Sequence, residues 1–299
     1  MSVLRLATRR SPLALVQAES VRARLAARGV ESTLVHVQTS GDRERHVPLA
    51  VLGGLGVFAI EIQRAVASGD ADVAVHSAKD LPSDTPEDLV LAGVPERRDP
   101  ADVLVGRALA GLGPGATVAT GSPRRRALLL ERRPDLRVVD LRGNMASRLG
   151  AVGHGGVDAV VTAAAALDRL GALDRVAERL DPAWFVPQVG QGALALEVRC
   201  GDHATLELVA AISDDNALTA LRAERAFLRE LGAGCSIPAG AHASVHRGRL
   251  TLVGVMIALD GSRSVRSSVE GRDPEALGAA LARGLRDDEG GGSLPGWSR

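Results

Sequence analysis

One short stretch of the chain, residues 72–84 (DVAVHSAKDLPSD), ends an apolar run with two adjacent charged residues, Lys79 and Asp80. Lys79 is the only lysine, and every other fixed cationic side chain is an arginine. Lysine presents a compact, titratable ammonium, whereas the guanidinium of arginine stays charged and donates as a planar fork. A carboxylate at a strand end can stabilise a developing cation or move a proton. Two interpretations remain open: these residues act in a site, or one lysine survives in a gene biased toward arginine codons.

The two cysteines differ in their local sequence. Cys235 lies in the glycine-flanked segment GAGCSIPAG, which predicts an exposed thiol acting as a nucleophile or an attachment point. Cys200 ends the apolar segment ALALEVRC, where we expect a buried structural cysteine. Two cysteines do not make a disulfide framework, which favours a reducing compartment.

Small polar and basic residues recur where predicted strands end. Open α/β sheets bind ligands at this edge, where helix N-termini present unpaired amides. Arginine pairs bidentately with carboxylates, so these positions predict a ligand that carries several carboxylates. A solvated helix face is the alternative, and it is our interpretation of Arg126, Arg132 and Arg133. The turn position favours a ligand-binding role for Arg9, Arg124, Arg142 and Arg148. The candidate positions at strand ends are Arg9, Ser11, Lys79, Asp80, Thr120, Ser122, Arg124, Arg125, Arg142 and Arg148, with Arg169 following.

Strands that alternate with helices predict a parallel α/β fold. Two segments also recur in the same order: ATRRSPLAL (7–15) is echoed by ATGSPRRRAL (119–128), and GDADVAVHSAKDL (69–81) by GGVDAVVTAAAAL (155–167). The echoes predict two similar α/β lobes facing a cleft, and chance similarity between alanine-rich helices is the alternative.

After residue 200 the pattern changes to a helical segment that breaks near SDDN, then alternating segments and a last helix. This predicts a small C-terminal α+β domain, with the glycine-rich end, DDEGGGSLPGWSR, as a disordered tail. The predicted limits are residues 1–94 plus 193–212 for the first lobe, 95–192 for the second lobe, and 213–299 for the C-terminal domain with its tail.

Composition excludes several classes of protein. A net charge of +0 and an aromatic content of 2% argue against a nucleic-acid-binding protein. No apolar run approaches the roughly 18 residues of a membrane span, and residues 1–17 lack the order of a secretory signal, so we expect a cytoplasmic protein. His242 and His246 are not joined by a convincing set of metal ligands, so no metal is expected. GLGVFA resembles a dinucleotide-binding motif but follows a loop rather than a clear strand.

The motifs together resemble the porphobilinogen deaminase (hydroxymethylbilane synthase) family, over nearly the whole chain except its C-terminal tail. The combination is specific, although no single motif is. The segments that carry the resemblance are LRLATRRSPLALVQA, VAVHSAKDLP, TGSPRRRALLLERRPDL, LRGNMASRL, VPQVGQGALALE and TALRAERAFLRELGAGCSIPAG.

The resemblance implies two lobes like those of periplasmic binding proteins, plus the C-terminal domain. It implies a transferase of tetrapyrrole biosynthesis that joins four porphobilinogens head to tail, each losing ammonia, before water releases linear hydroxymethylbilane. A dipyrromethane cofactor would be attached through a thioether to Cys235 and would remain on the enzyme. The protein would be a cytoplasmic monomer that passes its product to the next tetrapyrrole enzyme and binds neither nucleic acid nor membrane.

The resemblance also implies roles for single residues. Asp80 would stabilise pyrrole-nitrogen cations and manage protons, with Lys79 beside it. Arg9, Ser11, Arg142, Arg148 and Arg169 would bind the acetate and propionate groups of the substrate chain. The cofactor would be held by Lys79, Thr120, Ser122, Arg124, Arg125, Asn144 and Arg148.

The glycine-rich loop departs from the family pattern. Many members carry lysines there, whereas this chain reads AVLGGLGVFAIE, with Val51, Leu55 and Ile60. We therefore expect a lid that closes through its glycines rather than through charge. A two-lobed, non-catalytic polycarboxylate-binding protein remains the alternative function, because function belongs to sites rather than folds.

Overall fold

The structure is a computed structural model that describes residues 3–39, 56, 58–232 and 237–297. Cys235 and the glycine-rich loop residues Val51 and Leu55 lie outside the described residues. The strands are β1 (Leu4–Arg9), β2 (Ser32–Val37), β3 (Val73–Ser77), β4 (Leu89–Gly93), β5 (Asp102–Val105), β6 (Thr117–Ala119), β7 (Arg137–Val139), β8 (Ala159–Ala163), β9 (Val176–Arg179), β10 (Leu194–Arg199), β11 (Ala239–His246), β12 (Arg249–Ile257) and β13 (Ser264–Gly271). The helices are α1 (Pro12–Ala26), α2 (Ile60–Ala67), α3 (Pro123–Arg132), α4 (Met145–Gly150), α5 (Ala164–Arg169), α6 (His203–Ala210), α7 (Asp215–Glu230) and α8 (Pro274–Arg283).

Two five-stranded sheets in the described part of the chain share one topology. The first has the order β2-β1-β3-β10-β4 and the second β7-β6-β8-β5-β9. In each sheet the first three strands are parallel and the fourth is antiparallel to its neighbours. The repeated segments make β1 equivalent to β6 and β3 equivalent to β8, and these strands hold the same positions in the two sheets. The two similar α/β lobes predicted from the repeats are therefore confirmed.

The chain crosses between the lobes twice, over residues 94–101 and 180–193. In each lobe, one strand runs antiparallel to the shared parallel strands, and it directly follows a crossing. This strand is β5 in the second lobe, after the first crossing, and β10 in the first lobe, after the second crossing. The strands thus fall within the predicted domain limits, and the limits themselves remain a prediction.

Helix starts follow the local sequence as expected. α1 begins with Pro12 after Ser11, whose hydroxyl accepts a hydrogen bond from the Ala14 amide at 3.3 Å. α3 repeats this arrangement with Pro123 after Ser122. A serine cap satisfies an amide that the first turn leaves unpaired, and proline at the first helical position has no amide to satisfy. The same Ser-Pro device therefore starts a helix at the same place in both lobes.

The C-terminal domain is an antiparallel sheet, β11-β12-β13, covered by α7 and α8. Its core contains Phe227, Leu252 and Leu281. Val255 and Ile257 of β12 instead join the hydrophobic core of the second lobe. The C-terminal domain therefore shares a dry interface with the second lobe.

Two sequence expectations differ from the structure. The segment predicted to be a disordered tail folds back as far as Trp297, whose indole donates to the Ile257 carbonyl at 2.8 Å, and Leu294 is buried. The glycine-rich composition of this segment gave no indication that Leu294 and Trp297 would pack against the fold. Cys200, expected to be buried, is exposed because it follows β10 rather than lying within it.

Candidate functional site

Lys79 and Asp80 lie on a single 3-10 turn, Ala78–Asp80, at the carboxyl end of β3. Residues of the second crossing pack closely against this turn. Gly190 has φ +73°, and a Cβ there would lie 2.8 Å from the Ala78 carbonyl carbon. The Gln188 side chain donates to the Lys79 carbonyl at 3.2 Å. The backbone that carries both candidate side chains is thus held by the segment connecting the lobes.

The Lys79 ammonium lies in a crowded cationic environment. Burial, with the nearby Arg125 and Arg148 guanidinium groups, lowers the pKa of Lys79 to about 8, against the opposing effect of Asp80 and Asp102. The residue keeps partial solvent access. A lysine in this state titrates near pH 8, whereas a guanidinium would remain charged there.

Arg148 reaches the same region from the second lobe. It lies on α4, whose N-cap Asn144 accepts from the Ser147 amide at 2.9 Å. Its Nε donates to the Gly143 carbonyl at 2.9 Å. Burial and the Arg125 charge lower the pKa of Arg148, and Asp80 opposes them. The structure thereby brings Lys79 and Asp80 of the first lobe together with Arg125 and Arg148 of the second.

Arg124 and Arg125 are both held by one buried carboxylate, Asp102. Arg124 Nη2 and Asp102 Oδ2 are 2.7 Å apart, and Arg125 Nε donates to Asp102 Oδ1 at 2.8 Å. The other Arg124 Nη atom donates to the Val186 carbonyl at 2.7 Å. Burial acts to raise the pKa of Asp102, but the two arginines hold it below its ordinary value. Both predicted ligand residues are thus embedded in the second lobe, with much of their donor capacity directed inward.

Thr120 and Ser122 shape the turn before α3. Thr120 is buried, and its hydroxyl accepts from the Ser122 amide at 3.3 Å. The Ser122 hydroxyl accepts from the Arg125 amide at 3.4 Å. Their hydroxyls therefore organise the helix start that carries the two arginines.

Arg9 and Ser11 occupy the corresponding turn of the first lobe. They line a cavity together with Phe58, Lys79 and Asp80, here called the first-lobe cavity. The Arg9 guanidinium carbon lies 4.0 Å from the centre of the Phe58 ring. Stacking of this kind holds a guanidinium in place against the ring.

A second cavity, here called the interdomain cavity, is enclosed by both lobes and the C-terminal domain. Lys79, Ser122 and Arg124 line it from the lobes, and Phe227 and Ile237 from the C-terminal domain. Arg124 Nε is buried and has no hydrogen-bond partner among the described residues. An unsatisfied buried donor beside a cavity fits an acidic ligand. The lining is therefore suited to a carboxylate, although the cavity itself, about 20 Å³, is too small for a whole dipyrromethane.

The remaining predicted residues are Arg142, Arg169 and Cys235. Arg142 is exposed, and Arg169 donates from Nη2 to the Gly192 carbonyl at 2.8 Å, on the second crossing. Burial and the Arg98 charge lower the pKa of Arg169 to about 10. Neither arginine is among the described residues that line the two cavities. Cys235 lies outside the described residues, two positions before Ile237, which lines the interdomain cavity.

Asp102, Glu224 and Arg225 are among the buried charged residues that the sequence did not single out. Asp102 stands in PERRDPADVLVG, which reads as a linker, and the other two stand in the helix AERAFLRE. For Asp102 the available signal was an acid opening an apolar strand, DVLV, which must be paired when buried. The helix gives a similar signal, because Glu224 and Arg225 stand between the apolar residues Ala223 and Ala226.

The described residues contain neither a helix long and apolar enough to cross a membrane nor a group of three or more His, Cys, Asp or Glu side chains placed to hold a metal ion. What they do define is a two-lobed α/β protein with a cationic cleft at the carboxyl ends of its strands.

Comparison with known proteins identifies the family. A family model described as "Porphobilinogen deaminase, dipyromethane cofactor binding domain" matches residues 4–207, and one described as "Porphobilinogen deaminase, C-terminal domain" matches residues 218–287. The chain is 46% identical to the porphobilinogen deaminase of Syntrophotalea carbinolica (95% of this chain, 92% of the relative) and 45% identical to that of Roseiflexus castenholzii (98% and 99%). This chain belongs to the porphobilinogen deaminase family.

Solved structures with a detectable likeness include a periplasmic substrate-binding protein of an ABC transporter from Coxiella burnetii. It is 17% identical, covers 73% of this chain and 94% of its own, and has a TM-score of 0.44. The methionine-binding protein MetQ is 14% identical, covers 72% and 91%, and has a TM-score of 0.43.

Proposed function

We propose that this protein is a hydroxymethylbilane synthase, a transferase that joins four porphobilinogens head to tail into hydroxymethylbilane. The observation that carries the proposal is that Lys79 lines one cavity with Asp80, Arg9 and Ser11 of the first lobe and another with Ser122 and Arg124 of the second lobe, in a chain of the porphobilinogen deaminase family. A polycarboxylate substrate requires the cations, and its chemistry requires the carboxylate.

Asp80 is the residue we propose for the reacting centre. Loss of ammonia from the aminomethyl group of porphobilinogen leaves a positive charge shared with the pyrrole nitrogen. A carboxylate within hydrogen-bond reach of that N–H stabilises the charge, and the same group can take up the proton lost when the new carbon–carbon bond forms. Asp80 lies in the first-lobe cavity with Arg9 and Ser11, which would hold the acetate and propionate groups.

The dipyrromethane would supply the primer to which substrate is joined. Cys235 is the proposed attachment point, since it stands two residues from Ile237 on the wall of the interdomain cavity. On this proposal, carboxylates of the cofactor are bound by cations and polar groups of both lobes. The residues proposed for this role are Lys79, Thr120, Ser122, Arg124, Arg125, Asn144 and Arg148, with Arg142 and Arg169 binding the growing chain.

We further propose that residues 1–94 with 193–212, 95–192 and 213–299 are the three domains, and that the protein works as a cytoplasmic monomer. Its product would pass directly to the next enzyme that acts on a linear tetrapyrrole.

A turnover assay tests the function. Purified protein is incubated with porphobilinogen, and the product is oxidised in acid and measured as porphyrin. The proposal expects substrate to be consumed and porphyrin to form in proportion to the amount of enzyme. A binding protein would retain porphobilinogen unchanged, and that result would overturn the proposal.

A further inference from the structure

Helix α7 runs alongside the segment that follows Asp80. Leu221, Arg225 and Arg229 are spaced four residues apart, so they lie on one side of the helix. Leu221 packs in one hydrophobic cluster with Ala78 and Leu81 of the first lobe. Farther along the helix, Arg225 and Arg229 contact the residues after Leu81. The helix therefore packs along the chain from the turn that carries Asp80 to the residues that come after it.

Arg225 makes the central contact of this interface. Its Nη1 donates to the Pro82 carbonyl at 2.8 Å, and its Nη2 donates to the Ser83 carbonyl and the Thr85 hydroxyl, both at 3.1 Å. Arg225 is only 5% exposed, so these bonds are shielded from water. Pro82 is two residues beyond Asp80. A rigid guanidinium thus fixes the backbone immediately after the proposed catalytic carboxylate.

Arg229 provides a natural contrast on the same helix. It donates to Asp84 in the same segment at 3.1 Å, but both side chains are largely exposed, at 51% and 74%. An exposed pair of this kind contributes little, because water and salt compete with it. Arg229 therefore shares the helix, the charge and the loop of Arg225 without its burial.

Helix α7 also leads toward the proposed cofactor attachment point. The helix ends at Glu230, five residues before Cys235, and Phe227 and Leu228 on it line the interdomain cavity. Arg225 lines that cavity as well. One side chain thus ties the loop that carries Asp80 to the helix that leads to the cofactor attachment point.

We propose that Arg225 is a positioning residue that sets the location of Asp80 relative to the cofactor carried by the C-terminal domain. This inference rests on the proposed function. The reaction requires Asp80 to be placed accurately against a reacting end whose anchor lies in another domain, and a misplacement of about 1 Å can cost on the order of 100-fold in rate. Among the described side chains of α7, Arg225 spans this gap through buried hydrogen bonds to the backbone.

The test measures kcat and KM for porphobilinogen in Arg225→Gln, with Arg229→Gln as the matched control. We expect Arg225→Gln to lower kcat by about 10- to 100-fold while KM stays within about twofold, because the proposed carboxylate-binding residues are untouched. Arg229→Gln should behave as wild type. Intact mass should show a normal dipyrrole content in both variants, and Arg225→Lys should recover part of the rate because it keeps the charge but loses the fork.

A double-variant cycle separates positioning from general stability. In an Asp80→Glu background the carboxylate is already displaced, so adding Arg225→Gln should cost much less than it does in the wild type. The same factor in both backgrounds would overturn the proposal, as would a kcat for Arg225→Gln equal to that of Arg229→Gln, or loss of the dipyrrole mass. Should Arg225→Gln fail to fold, the cycle is run with Arg225→Lys and an Arg229→Lys control. The proposed function is judged separately, by turnover of the wild type.

Discussion

At the scale of single residues, the site is defined by what surrounds Lys79 and Asp80. Burial lowers the pKa of the Lys79 ammonium to about 8; the Arg125 and Arg148 charges act in the same direction, and Asp80 and Asp102 oppose them. The neighbouring carboxylate is held by a one-turn helix at a strand end. Chemistry that binds acids and handles protons needs this combination of compact cation and carboxylate.

The Asp80 carboxylate should be indispensable for rate but not for folding. Removing a group that handles protons typically costs about 10²–10⁴ in rate. We therefore expect Asp80→Asn to lose most porphobilinogen turnover while its thermal unfolding stays close to that of the wild type. Near-normal porphyrin formation by this variant would refute the role given to Asp80.

The low pKa of Lys79 predicts a pH effect whose sign is fixed. The side chain is charged below about pH 8 and becomes neutral as the pH rises through that value. Its attraction for substrate and cofactor carboxylates is thus present at neutral pH and lost in the alkaline range. Lys79→Arg stays charged, so its kcat/KM should lack the wild-type decline above pH 8, although the bulkier head beside Asp80 lowers its rate at pH 7. Identical pH profiles and rates for the two proteins would instead favour the codon-bias interpretation of the lone lysine.

Much of the residue-scale cluster could be predicted because ligand-binding groups follow strands. Lys79, Asp80 and Arg148 were predicted in this way; their charges act on one another in the structure, and their roles remain a prediction. Arg124 and Arg125 were also found, but their inward bonds to Asp102 were not, because a linker-like sequence gives no sign of which distant carboxylate it brings into the core.

At the scale of elements, the short helix α4 delivers Arg148 across the cleft. Asn144 caps the helix, and Arg148 Nε donates to the Gly143 carbonyl. The orientation of the guanidinium is therefore fixed by the backbone just before its own helix. The exposed Arg132 at the end of α3 instead stacks on Trp184, with its guanidinium carbon 5.3 Å from the ring centre.

Arg148→Leu should impair chain growth. A charge-assisted hydrogen bond contributes about 1.5–3 kcal/mol, so kcat/KM should fall by about 10- to 100-fold. Arg142→Leu should show a smaller loss because Arg142 is exposed. Arg132→Leu is the matched control and should retain wild-type turnover. Equal activity in all three variants would mean that the cleft has been misplaced.

The element order was predictable for physical reasons that also explain the failure at the C-terminus. Ser-Pro helix starts and repeated strand-turn-helix segments are local signals, and they gave the two lobes correctly. The end of the chain is held by Trp297 and Leu294 against a core formed by distant residues, and glycine-rich composition says nothing about such partners.

At the scale of the whole molecule, one buried carboxylate joins all three parts of the fold. Glu224 of α7 accepts from Arg97 of the first crossing at 2.6 Å, from the Gly190 amide of the second crossing at 2.7 Å, and from the Ala243 amide of β11 at 2.8 Å. Burial acts to raise its pKa, but Arg97 and His242 lower it to about 2.

Glu224 should therefore stabilise the assembled fold in a pH-dependent manner. Its pKa is depressed on folding, so its contribution is complete above about pH 4.5 and is lost as the pH falls toward 2. Glu224→Gln leaves the Arg97 guanidinium without its carboxylate partner. The free energy of unfolding, measured by urea denaturation at pH 7, should fall by about 3–5 kcal/mol. Glu275→Gln, which breaks an exposed pair with Arg222, should cost less than about 1 kcal/mol. An equal loss of unfolding free energy in both variants would contradict a special stabilising role for Glu224.

The central claim is that a dipyrrole is attached to this chain at Cys235, and peptide mapping by mass measures it directly. Cleavage after arginine places Cys235 in the peptide from Glu230 to Arg247 and the exposed Cys200 in a separate peptide. A thioether resists denaturation and ordinary reductants, so the first peptide should keep the mass of two pyrrole units after both treatments. Cys235→Ser should lack that mass and turn over poorly, whereas Cys200→Ser should carry it and remain active. An active protein whose dipyrrole lies on Cys200, or is removed by dialysis, would contradict the account.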